Sequence, residues 1–152
     1  MRDFLTELSK NEIFLTTLLT WILAQTIKTL FCILQGQRFN FKWILGTGGM
    51  PSAHAAGVSA LATSVGMYQG FDSALFSVTL IFSLVTMFDA QGVRRAAGRQ
   101  AGILNRIIDD IYLNKGIRDE RLKELLGHTP IRVIVGGTLG ILMAFLCHNI
   151  ME

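Results

Sequence analysis

IFLTTLLTWILAQTIKTLFCIL, residues 13–34, is the stretch that decides the fold. As an α-helix at ~1.5 Å per residue it reaches ~33 Å, enough to cross the hydrocarbon core of a bilayer. Its polar exceptions, Gln25 and Lys28, lie one turn apart and share a face.

Outward from this run, the chain repeats the theme. A second helix is predicted to open at PSAH (Pro51 to His54) and to run through AAGVSALATSVGMY. Proline in the first turn suits a helix start. Its Ala, Gly and Ser content predicts burial among other helices rather than contact with lipid. QGFD makes a turn, a third apolar helix runs from Phe71 to Phe88 and ends at Asp89, and a last one opens at GHTP and runs from Pro130 to Leu146. The expected architecture is all-α: a single membrane domain over 1–152, an integral bundle of about four transmembrane helices at 13–34, 52–69, 71–89 and 130–147. The segment 91–127 is polar, but Ile103, Ile107, Ile108 and Ile111 recur at helical spacing, so part of it is expected to be an amphipathic helix at the membrane surface.

Composition agrees. The 152 residues are 51% hydrophobic and only 16% charged, with a mean hydropathy of +0.45, against ~25% charged in soluble domains. Fifteen glycines and two prolines fit closely packed membrane helices. A net charge of +3 is too small to argue for nucleic acid. Cys32 and Cys147 lie inside apolar runs and read as packing residues without a disulfide. Asp3 and Glu7 precede the first run without a basic n-region, so no removable signal peptide is expected.

Charge sets the topology. Segment 91–127 carries Arg94, Arg95, Arg99, Arg106, Lys115, Arg118, Arg121 and Lys123, which places it in the cytoplasm by the positive-inside rule. The loop with Arg38 and Lys42 then falls on the same side, and both termini fall outside. A bacterial plasma membrane is the expected location. Under this topology Lys28, His54, Asp89, Arg94, Arg95 and His128 gather at the inner surface, at the ends of different elements. Charges near a membrane are costly and tend to face one another or a wet cavity. PSAH and GHTP each put a histidine beside the free N–H groups and positive dipole end of a helix, features that suit phosphate. A histidine there can also serve as nucleophile or general acid.

Each residue has a plainer reading. A histidine near a helix start is more often structural. Lys28 could snorkel to headgroups. Arg94, Arg95 and Arg99 could bind anionic lipid. Asp89 could pair with Arg94 or Arg95. Gly48, Gly49, Gly98 and Gly127 could serve only turns and packing. Their joint placement favours a site.

GGMPSAHAAGVSAL, FDAQGVRRAAGRQAGILN and LKELLGHTPIRVIVGGTLG, three long motifs in order, closely resemble the divergent branch of the type 2 phosphatidic acid phosphatase (PAP2) family. The resemblance runs from AQTIK to the last helix. It implies phosphatase chemistry through a phosphohistidine: His128 as nucleophile, His54 as general acid, and Lys28, Arg94, Arg95, Ser52 and the backbone around Gly49 as the phosphate cradle. The implied substrate is a lipid phosphate or diphosphate. No cofactor is implied, and the sequence offers no cluster with metal-ligand spacing. There are departures from the wider family. No Arg-Pro follows Lys28, and Leu122 stands where a Ser-Arg pair would begin. Arg132 occupies the position, four residues after His128, where a carboxylate would orient the imidazole. Three readings stay open: His128 is impaired, the substitution is engineered, or Asp89 takes over the orienting role.

Three functions follow as expectations: a membrane phosphatase; a protein that keeps the phosphate pocket but has lost the chemistry; or a small lipid or anion transporter. The last needs a homo-oligomer, for which Gly136, Gly137 and Gly140 could supply a contact, although packing within one chain is their plainer role.

Overall fold

The computed structural model describes residues 2–34, 49–112 and 129–151. All regular elements among them are helices: α1 (Arg2–Leu8), α2 (Glu12–Leu34), α3 (Ala53–Gln69), α4 (Ala74–Gln91), α5 (Val93–Tyr112) and α6 (Pro130–Met151). Helix starts carry the expected chemistry. The Asn11 side chain accepts from the Phe14 N–H at 3.0 Å and opens α2. Ser52 caps α3, and Ser73 caps α4 by accepting from the Phe76 N–H at 3.1 Å. The Ser73 cap sets the start of α4 at Ala74, a few residues beyond Phe71.

α3 is the hub, packed on by α2, α4 and α6. Contacting residues give the directions. Trp21 meets Gly57 and Lys28 meets Gly49, so α2 runs antiparallel to α3. Ser83 donates to Val58 O at 2.7 Å and Ala90 clusters with Ala55, so α4 is also antiparallel. Ser52 pairs with Arg132 and Tyr68 with His148, so α6 runs parallel to α3.

The α3–α6 seam rests on small residues. A Cβ on Gly136 would strike the Ser52 carbonyl oxygen, and one on Gly140 the Ala56 carbonyl oxygen. On α3 the facing positions are Ser52, Ala56 and Ala60, one per turn. Gly136 and Gly140 therefore serve contact within one chain.

The distribution of side chains is inverted relative to a water-soluble domain. The interior holds Ala24, Ala53, Ala55, Ala56 and Ala60, and its largest fully buried side chains are threonines and serines. The outer surface carries Val78, Phe88, Ile134 and Leu142, each more than 60% exposed. Such a surface is stable only against hydrocarbon. α2, α4 and α6 are each long and apolar enough to cross a membrane. α3, with 17 residues and about 25 Å of length, is shorter and enclosed by the other three. The protein is an integral membrane helical bundle.

α5 leaves the bundle at Gly92, whose N–H caps Phe88 O at 2.8 Å. It packs on α4. Gly98 and Asn105 on this helix are buried, while Ile103, Leu104 and Ile107 are exposed. A polar helix that turns its isoleucines away from its own protein fits the surface of a bilayer.

Candidate functional site

The start of α3 is fixed by two bonds from one residue. Ser52 is fully enclosed; its Oγ accepts from the Ala55 N–H at 3.4 Å, and its own N–H donates to the Arg132 carbonyl at 3.1 Å. The second bond ties the entrance of α3 to the first turn of α6. Because α3 and α6 are parallel neighbours, their N-termini lie side by side, and the positive ends of both dipoles point the same way. The N–H groups of a helix's first turn lack intrahelical partners, so two such ends attract an anion.

Lys28 reaches this end from α2. It is only 5% exposed, where a snorkelling lysine would present its head to the surface. Its stem lies across Gly49, where a Cβ would sit 2.7 Å from Lys28 Cγ. Gly49 has φ +83°, a conformation that favours glycine on its own account. A cis Met50–Pro51 peptide bond then leads into Ser52.

A second group of residues adjoins the first. Ala55, Ala90 and Val133 form one buried contact. Their chain neighbours are His54 on α3, Asp89 on α4 and Arg132 on α6. His54 is exposed, whereas Asp89 and Arg132 are half-buried. Lys28, Gly49, Ser52, His54, Asp89 and Arg132 therefore share one end of the bundle. Arg94 and Arg95 belong to the first turn of α5, directly after α4, and their side chains are outside the described residues, as is the whole of His128. His148 lies at the opposite end, in an edge-to-face contact with Tyr68 at 4.9 Å between ring centroids. Among the described residues no group of three or more His, Cys, Asp or Glu could hold a metal ion.

Sequence reasoning did not foresee the Ser52–Arg132 link. Its only trace is a pair of matched spacings, Ser52/Ala56/Ala60 and Gly136/Gly140, small residues at four-residue intervals on two helices. The Ser52 hydroxyl oxygen caps α3 and its N–H is committed to α6, so the residue holds the two helix starts together.

An all-helical bundle with two strapped helix N-termini, and with an enclosed lysine and a first-turn histidine at the same end, defines a class: a small integral membrane protein. The chain belongs to the divergent PAP2 family, whose sequence pattern matches residues 9–143. It is 42% identical over 148 residues to the uncharacterized membrane protein YuiD of Bacillus subtilis (strain 168), an alignment covering 90% of this chain and 94% of that protein. No solved structure matches it.

Proposed function

We propose that the protein is a membrane phosphatase that hydrolyses a lipid phosphate or diphosphate at the cytoplasmic face through a phosphohistidine. The observation that carries this reading is the convergence of Lys28, Gly49, His54 and Asp89 on the strapped N-termini of α3 and α6. In the proposed reaction the neutral imidazole of His128 attacks phosphorus and the bond to the leaving oxygen breaks. His54, protonated, gives its proton to the departing alkoxide or phosphate. Water then attacks the phosphohistidine with His54 as base, releasing inorganic phosphate and restoring both histidines. Lys28, Arg94 and Arg95, with N–H groups near Gly49 and the α3 start, stabilise the charge on the equatorial oxygens.

Arg132 supports a second reading. A cation four residues after His128 disfavours the imidazolium that a carboxylate would favour. The pocket would then bind phosphate without turning it over. The deciding experiment is inorganic phosphate release from a panel of lipid phosphates in reconstituted vesicles. It compares the native sequence, Arg132→Glu, and Arg132→Glu combined with His128→Ala. Release that rises with Glu and disappears with Ala supports the phosphatase. Orthovanadate binding without release by any variant supports the second reading. Neither release nor anion binding from folded protein overturns both.

A further inference from the structure

A groove of about 320 Å³ opens on the outer surface where α4 and α6 diverge over α3. Its floor is Ser59, Val133 and Gly137, all buried, and its rims include Leu84, Phe88 and Ile134, which are exposed. On α6 the lining runs from Val133 to Ile141, a length of about 12 Å. It thus extends from one end of the bundle towards the middle of a ~30 Å hydrocarbon core.

Three observations bear on its occupant. The upper end lies at the candidate site: Val133 belongs to the contact flanked by His54, Asp89 and Arg132, and Gln91 is two residues beyond Asp89. The hydroxyls in the wall are satisfied within the protein. Ser59 Oγ donates to Met87 Sδ at 3.8 Å, and Thr138 Oγ1 donates to Ile134 O at 3.0 Å. Below Gln91 the groove therefore asks for no polar partner and suits an apolar one. Finally, it opens sideways from membrane-crossing helices, so its supply is the bilayer and not water.

We propose that this groove receives the first part of the hydrocarbon tail of a phosphate-bearing lipid, which enters laterally between α4 and α6 while its headgroup occupies the site at the upper end. This rests on the anion-binding reading of that site, but not on hydrolysis. In hydrocarbon the tail gains no hydrophobic energy on entering the groove. The groove instead lets the headgroup descend to the site without its chain being forced into water. Position 138 then controls access. Thr138 is exposed at the lining, and a larger side chain there would close the groove from the membrane side.

The test uses the full chain in vesicles with a non-hydrolysable phosphonate analogue of phosphatidic acid bearing a diazirine in its tail. Labelled positions are mapped by mass spectrometry. Expected are several-fold stronger labelling at Leu84, Met87, Ile134 and Ile141 than at Leu18 and Leu19 on the outer face of α2, loss of that excess with Thr138→Trp, and loss of it on adding orthovanadate, which competes only for the headgroup site. Leu142→Trp, outside the groove, should leave labelling unchanged and shows that a surface tryptophan alone is harmless. Equal labelling on all outer faces, insensitive to vanadate, overturns the proposal. So does a disulfide between two copies of an Ile134→Cys variant with no groove labelling, since a second chain would then fill the space. Groove labelling without phosphate release would sink hydrolysis and keep the groove; release with uniform labelling would do the reverse.

Discussion

Gly140→Ala adds one methyl group at the tightest point of the α3–α6 seam. The new Cβ would meet Ala60 N at 2.9 Å, Ser59 Cβ at 2.9 Å and the Ala56 carbonyl oxygen closer still. Two of these are backbone atoms of α3, which no rotamer change can move. Restoring ordinary carbon contacts requires the helices to part by about 1 Å. Overpacking of this kind costs about 1–3 kcal/mol, and the better helix propensity of alanine returns up to about 1 kcal/mol. The net loss of up to about 2 kcal/mol corresponds to a fall in Tm of up to about 8 °C for a chain of this size. Gly57→Ala is the matched control. Its Cβ would lie 3.7 and 3.9 Å from Trp21 atoms, an ordinary contact, so only the propensity gain remains and Tm should hold or rise. Thermal melts of the two variants in detergent, followed by tryptophan fluorescence, compare the signs. A Gly140→Ala protein that melts no lower than Gly57→Ala would refute the close approach of α3 and α6.

Other outcomes follow from the same structure. Gly49→Ala imposes a side chain at φ +83° and against the Lys28 stem, so orthovanadate affinity should fall, as it should in Lys28→Ala, while helix content by circular dichroism is retained. Spin labels at Ile103 and Ile107 on α5, which share one exposed face, should collide more with oxygen than with a water-soluble nickel chelate. His148→Ala removes the edge-to-face contact with Tyr68; it should cost about 1 kcal/mol of stability and leave vanadate affinity intact, because this pair lies at the far end of the bundle.

The membrane helices were legible because their signal is length and composition. Residues 13–34 announce a span without reference to anything else in the chain. Gln25 and Lys28 were expected on one face, and both are buried towards the bundle. The packing of Gly136 and Gly140 within one chain was also the plainer expectation. Less legible was anything that depends on which helices are neighbours. The Ser52–Arg132 bond joins residues far apart in sequence and uses backbone atoms, which carry no residue-specific mark. The buried Asn105 on α5, with its isoleucines outward, likewise depends on which side of that helix meets α4. The start of α4 shifted for a local reason: Ser73 offered a cap that the apolar run from Phe71 concealed. Lys28, His54 and Asp89 are expected at one end of the bundle, and the structure brings these three together there. Their shared scaffold, the paired starts of α3 and α6, required the fold.

The inverted distribution of side chains sets how this protein can vary. On its exterior, Leu, Ile, Val and Phe are interchangeable, since fluid lipid conforms to any of them, and what is forbidden there is charge. Along the inner seam the constraint is volume: positions such as Ala56, Ala60, Gly136 and Gly140 have no room for another methylene, whatever its polarity. A saturation scan would therefore separate into two maps with different grammars, one blind to shape and strict about charge, the other strict about size. The second map would trace the α3–α6 contact, residue by residue, from substitution data alone.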